Sequence, residues 1–297
     1  MSILIAGFGD LGRQIALALH RESTPFQSVI LALRRHLNAD MPAGVTPVVA
    51  DLTDPASLAV IPNDVTHAVY CAAADSSTEQ AYQKTYFEGL HNLIDRLSQQ
   101  AFMPRILFVS STAVYGRDIE GVVDESSPTN PARFNGKIML ATEQMLLARA
   151  PDSVVLRLSG IYGPGRTQLL RRLMAGTTNI PDQPGYWANR IHIEDAARAV
   201  IHLLRDRHQS GVMIGTDIHP LPLDTLYRDL ARQIGAPSPK MAPPSPMMGK
   251  KKLSNRKLLS TGFEFNWPDS RTGYQSVIRS FLDAYPDADL RSGHTTP

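Results

Sequence analysis

Along the first half of the chain the apolar residues come in short unbroken runs, without alternating polar positions. The runs are SILIAG (2–7), SVILAL (28–33), TPVVA (46–50), HAVYCAA (67–73), RILFVSS (105–111) and SVVLRLS (153–159). A strand that is apolar on both faces must be covered on both faces. Between the runs, segments 11–20, 54–60, 78–100 and 134–149 space their apolar residues as helices do. Strand and helix in turn predict an α/β fold, a doubly wound parallel sheet of the Rossmann type.

After about residue 160 the rhythm changes. YGPGR and PDQPGYW read as loops, 190–207 as a helix with its lead-in, 211–215 as a short strand and 222–235 as a further helix. The proline-rich stretch 236–252 reads as an exposed loop and the end, DLRSGHTTP, as frayed. The expected division is a dinucleotide-binding domain over 1–160, to which 189–216 returns, and a smaller C-terminal α/β substrate lobe over 161–297.

Charge and cysteine content narrow the function. A formal net charge of +2, spread along the chain, gives no case for nucleic acid. No apolar run approaches the roughly 18 residues of a membrane span, and the single cysteine, Cys71, fits a reducing compartment. The expectation is a cytoplasmic protein acting on a small molecule, with a homodimer left open. No Cys/His cluster has metal spacing, so no metal is expected.

The first chemical signal is ILIAGFGDLGRQIALAL, which sets Gly7, Gly9 and Gly12 between a strand and a helix. In that context each glycine has a task. Gly7 permits the tight turn, Gly9 lets a pyrophosphate approach the backbone, and Gly12 lets the helix pack close to the strand. The loop residues Phe8, Asp10 and Leu11 complete the cradle, where the helix N-terminus offers free N–H groups. An acidic residue about 20 positions on would select NAD. Arg34 and Arg35 stand there instead, and paired guanidiniums suit a 2′-phosphate. NADP is therefore the expected cofactor and NAD the second choice. Asp51 either bonds the adenine amino group, with Leu52 against the ring, or caps a turn. Ala72, Ala73 and Ala74, after the fourth strand, allow close backbone approach to a ribose, and Ser110 ends the fifth strand beside them.

SSTAVYG (110–116), LSGIYGPGR (158–166) and NRIHIEDAARA (189–199), in this order, resemble the extended short-chain dehydrogenase/reductase superfamily, the NAD(P)-dependent epimerase/dehydratase group. The resemblance covers about residues 3 to 205. It implies catalysis by a Ser or Thr, a Tyr and a Lys, the last two in a Y-x-x-x-K pair followed by Glu four residues later. Ser111 fills the first position. With Glu143 as anchor, the Lys position holds Met139 and the Tyr position holds Asn135. Gly136 matches the glycine that commonly follows the Tyr. A register shifted by two gives Lys137 but pairs it with Arg133, and none of the nine tyrosines is followed four later by Lys.

That substitution matters for proton transfer. A free phenol, with a pKa of about 10, is a poor base at neutral pH unless an adjacent ammonium stabilises the phenolate. Asn135 and Met139 do neither job. Within the resemblance, Thr112 and Ala113 stand where dehydratases carry acids, and Gly160 stands where many sugar-nucleotide epimerases carry an Asn for a diphosphate. The glycine loop is also G-x-G-x-x-G, where the extended family usually has G-x-x-G-x-x-G.

Remaining candidates lie on the substrate side. Tyr115 could face a substrate; His192 could reach it too but reads first as a hydrogen-bonded link between the lobes, and Arg166 and Arg190 suit either an anionic substrate or ion pairs. Lys250, Lys251, Lys252, Arg256 and Lys257 read as a solvated basic face. The resulting expectation is an oxidoreductase-like protein with a non-standard site, in which Ser111 and Asn135 polarise a carbonyl. Its rival is a catalytically inactive NADP-binding sensor.

Overall fold

The computed structural model describes residues 2–21, 29–36, 41–117, 119–245 and 248–284. Ser28, which opens the expected second strand, and the end segment 289–297 lie outside the described residues.

The main sheet is built from β1 (Ser2–Ala6), β2 (Val29–Arg34), β3 (Val45–Val49), β4 (Val65–Tyr70) and β5 (Arg105–Ser111). A short β6 (Gly121–Val123) precedes β7 (Val154–Leu158), which returns to the sheet. The second half adds β8 (Gly160–Tyr162), β9 (Asn179–Pro181), β10 (Trp187–Ala188), β11 (Arg190–His192), β12 (Gly211–Gly215), β13 (Leu221–Pro222), β14 (Lys240–Ala242) and β15 (Lys251–Leu253). Seven strands, all parallel, run in the order β12-β7-β5-β4-β1-β2-β3. This is the Rossmann sheet that the unbroken apolar runs predict. Every residue of β1 and β7 is buried.

Two helical layers explain that burial. α1 (Asp10–Arg21) covers one face together with α6 (Ile193–Arg205), through Leu11, Ile15, Leu19, Ala196, Val200 and Leu203. The other face is covered by α3 (Gly89–Leu97) and α4 (Phe134–Arg149), through Leu90, Leu93, Leu97, Met139 and Leu146, with the short α2 (Glu79–Tyr82) leading in. Gln83–Glu88, between α2 and α3, is a π-helical turn, and Pro55–Val60 is a 3-10 helix. The expected continuous helix over 78–100 is thus broken. Tyr70, fully buried under it, donates a hydrogen bond to the Thr85 carbonyl that the wider turn leaves available. Gly89 allows this approach, since a Cβ there would lie 2.4 Å from the Tyr70 hydroxyl.

A separate core forms in the C-terminal lobe among α5 (Gln168–Met174), α7 (Leu223–Gln233) and α9 (Ser270–Ala284), around Leu170, Leu226, Leu230, Tyr274, Val277 and Phe281. The short helix α8 (Arg256–Ser260) packs Leu258 on the α1/α6 side instead.

The proline-rich stretch 236–252 is not simply a loop. β14 pairs in parallel with β9, and β15 with β6. Three-residue strands are decided by the edges they find, so local sequence does not announce them. The basic face is also corrected. The Lys251 ammonium donates to the Thr112 and Tyr115 carbonyls at 2.8 and 3.2 Å, and Lys257 donates to the Val212 carbonyl at 2.8 Å. Lys250 pairs with Glu120 at 3.0 Å, and Lys252 lies 4.4 Å above the Trp187 ring. These lysines are half-buried and separately partnered, so they do not form one solvated strip.

Candidate cofactor and active site

Strand order reverses between β1 and β4, and a crevice opens at the carboxyl ends of strands there. A cleft of about 660 Å³ occupies this place. Its floor is the glycine loop. Gly7 has φ of +101°, and a Cβ there would lie 2.3 Å from the Ala72 backbone. A Cβ on Gly12 would lie 2.3 Å from the Gly7 carbonyl oxygen, which explains why α1 starts so close to β1. Above Gly9 a Cβ would meet no atom within 4 Å. That open side is where a pyrophosphate can rest on the backbone at the positive end of α1. The cradle fits a dinucleotide.

Most of the expected cofactor residues share this one wall. Gly7, Phe8, Gly9, Asp10, Leu11, Arg34, Arg35, Asp51, Leu52, Ala72, Ala73 and Ser110 line the cleft. Gly12 lies behind it as a packing residue, and Ala74 is not on the wall. Asp51 carries out the turn role: one carboxylate oxygen accepts from the Thr53 amide and hydroxyl, each at 2.8 Å. Cys71 also reaches the wall, but burial pushes its thiol up to about 12 and it points at the Gly7 carbonyl.

The catalytic candidates separate. Ser111 lines the cleft, and its hydroxyl oxygen accepts from the Ala113 amide at 3.2 Å, which leaves its own proton to donate. Met139 lines the cleft and is 4% exposed. Asn135, one turn earlier on α4, is half-buried and not on the wall. Lys137 is exposed, pointing away. Gly136 brings the helix against the Ser111 turn, since a Cβ there would lie 2.4 Å from the Ala113 carbonyl oxygen.

Glu143 explains the register of this helix. It is buried and takes the Arg157 guanidinium, with Nη2 at 2.6 Å and Nε at 3.1 Å from both oxygens; Ser110 also donates to it. Arg157 in turn donates to the Tyr115 hydroxyl at 2.8 Å, and that hydroxyl donates to the Asp124 carbonyl at 2.8 Å. Tyr115 is therefore a buried structural residue, 2% exposed, and not a substrate group.

The other substrate candidates divide as well. His192 is buried off the cleft wall. It accepts the Glu194 amide at the start of α6 and packs on Trp267 at 4.7 Å, and burial pushes it down to about 4, so it is neutral. Arg190 turns into the second lobe, donating to the Asn189 carbonyl at 3.1 Å and to the Tyr227 hydroxyl at 3.4 Å. Of the four, only Arg166 lines the cleft.

Sequence reasoning missed Thr85, Tyr86, Asp75 and His36, all on the wall. Thr85 and Tyr86 come from the π-helical turn, whose phase shift a regular helical pattern hides. Asp75 holds Arg35 at 2.7 Å. Among the described residues no group of three or more His, Cys, Asp or Glu side chains could hold a metal, and no helix is long and apolar enough to cross a membrane.

Comparison with known proteins decides the family. Residues 3–215 match the NAD dependent epimerase/dehydratase family. The chain belongs to that family. A solved Methylobacillus flagellatus protein named for the NAD-dependent epimerase/dehydratase class is 37% identical, with a TM-score of 0.75, over 96% of this chain and 99% of that one. Protein YeeZ of Escherichia coli is 34% identical over 62% of this chain and 66% of its own length. D-erythronate dehydrogenase of Cupriavidus necator is 31% identical over 56% of this chain and 57% of its own length. The chain thus aligns with less than two thirds of either curated relative.

Proposed function

We propose that this member of the NAD-dependent epimerase/dehydratase family binds NADP and acts as an oxidoreductase on a small carbonyl or hydroxyl compound, with a non-standard site. The observation that carries the cofactor choice is the pair Arg34 and Arg35 on the cleft wall at the end of β2, where an acid would select NAD. The dehydrogenase among the relatives supports the redox reading.

When bound, the nicotinamide dinucleotide supplies or accepts a hydride. The chain supplies position and polarity. The glycine loop and α1 hold the phosphates. The Ser111 hydroxyl, oriented by the Ala113 amide, donates a hydrogen bond to a substrate oxygen, while Asn135, off the cleft wall, takes no part in the step. Proton exchange falls to water or to the substrate, since Met139 carries no charge and burial raises the pKa values of Cys71 and Tyr86 on the wall.

The test follows NADPH absorbance against a panel of aldehydes, ketones and keto sugars. Slow carbonyl-dependent oxidation, lost in Ser111→Ala, is expected. Turnover indifferent to Ser111→Ala overturns the role of that residue.

One observation favours a second reading, a non-catalytic NADP sensor: the position expected to hold a lysine is a buried methionine. Tight NADPH binding without turnover, with a large change in protease sensitivity, selects it.

A further inference from the structure

Arg166 follows the Rossmann half in sequence, in the turn between β8 and α5, yet its side chain stands on the cofactor cleft. Its Nη2 lies 3.4 Å from a carboxylate oxygen of Asp10, the first residue of α1. The backbone fixes this reach. The Arg166 amide donates to the Gly163 carbonyl at 3.1 Å, and Gly163, at φ +146°, packs where a Cβ would lie 2.6 Å from Ile193 at the start of α6. The arginine is thus anchored on the Rossmann side while belonging to the GPGR turn.

Two features of the pair point to a ligand. The Arg166 Nε is buried and has no hydrogen-bond partner. Asp10 stands at the positive end of α1, beside Gly9, where the negative charge of a pyrophosphate would come to rest. An unneutralised carboxylate there repels a phosphate, so the arginine is needed either to mask Asp10 or to take the phosphate itself. The ion pair is partly exposed, with 35% and 70% of the two side chains open to solvent, and is weak. A phosphate offers the guanidinium fork a stronger, bidentate partner.

We infer that Arg166 completes the pyrophosphate site, exchanging or sharing Asp10 for the phosphate oxygens when the dinucleotide binds. This rests on the dinucleotide reading above. It moves Arg166 from the substrate to the cofactor.

The experiment compares NADPH with 2′-AMP, which carries the 2′-phosphate but no pyrophosphate, by calorimetric titration of the full chain. Arg166→Gln is expected to weaken NADPH by about 10- to 100-fold while changing 2′-AMP by less than about twofold. Asp10→Asn breaks the same ion pair and controls for a purely structural role; it is expected to keep or tighten NADPH binding. Unchanged NADPH affinity in Arg166→Gln overturns the inference and leaves the dinucleotide reading standing. Equal weakening of both ligands, or Asp10→Asn as damaging as Arg166→Gln, identifies a structural clamp and also overturns it. Loss of carbonyl-dependent turnover at unchanged NADPH affinity assigns Arg166 to the substrate instead. Failure of the wild-type chain to bind NADPH removes both readings.

Discussion

Arg35, just past the end of β2, holds both carboxylate oxygens of Asp75, beyond the end of β4, at 2.7 Å. β1 lies between these strands, so the pair spans the adenosine side of the crevice. The carboxylate raises the Arg35 pKa and occupies the group proposed for the 2′-phosphate. Both side chains are more than half exposed, so opening the pair costs no more than about 1 kcal/mol. Asp75→Asn is expected to tighten NADPH by about two- to fivefold and leave NADH unchanged. Arg35→Ala is expected to erase the preference for NADPH. Fluorescence titration with the two cofactors measures both.

Below the cleft, Arg157 and Glu143 form a buried pair that also carries Ser110 and Tyr115. Removing one partner strands a buried charge. Arg157→Met should lower unfolding stability by about 3–5 kcal/mol in urea titration. Tyr115→Phe should cost about 1–3 kcal/mol, with no change in carbonyl specificity if its hydroxyl is structural as found.

The contrast between Gly9 and Tyr115 shows what sequence could reveal. The glycine cradle is local: Gly7, Gly9 and Gly12 act within one strand–turn–helix, and their spacing is enough to read it. The positions Asn135 and Met139 come instead from the family resemblance, with Glu143 as its anchor. Tyr115 is not legible, since its burial depends on Arg157, 42 residues away on β7. Lys251 reads as solvated until β15 pairs with β6 and brings its ammonium to carbonyls 139 and 136 residues away. Tyr86 is hidden by the π-helical turn that changes its facing.

Installing the Tyr and Lys that the family resemblance implies tests the register. Asn135→Tyr with Met139→Lys should give NADPH-dependent carbonyl reduction at least about a hundredfold above the wild type, the lower end of what a positioned acid contributes. Neither single change should do so. Steady-state rates over the same carbonyl panel measure it.

Asp217, just after β12, gives a pH signature. It is 1% exposed, and burial raises its carboxyl to about 7, against the pull of Ser270 and Arg190. The folded chain therefore keeps a proton that the unfolded chain releases near pH 3.8. That contribution is full below pH 3.8 and lost as pH rises through about 7. His192, pushed down to about 4, acts oppositely, but only below its ordinary value of 6.5. From about pH 6.5 to about 8.5, wild-type stability should fall relative to Asp217→Asn by somewhat under about 1 kcal/mol and then level off, read from urea unfolding at each pH.

The most direct test is calorimetric titration of the wild-type chain with NADPH and with NADH, paired with thermal melts. A nicotinamide dinucleotide site with a 2′-phosphate grip at Arg34 and Arg35 requires heat and a raised melting temperature with NADPH, at about tenfold or greater preference over NADH. Absence of heat and of thermal protection with both cofactors contradicts it.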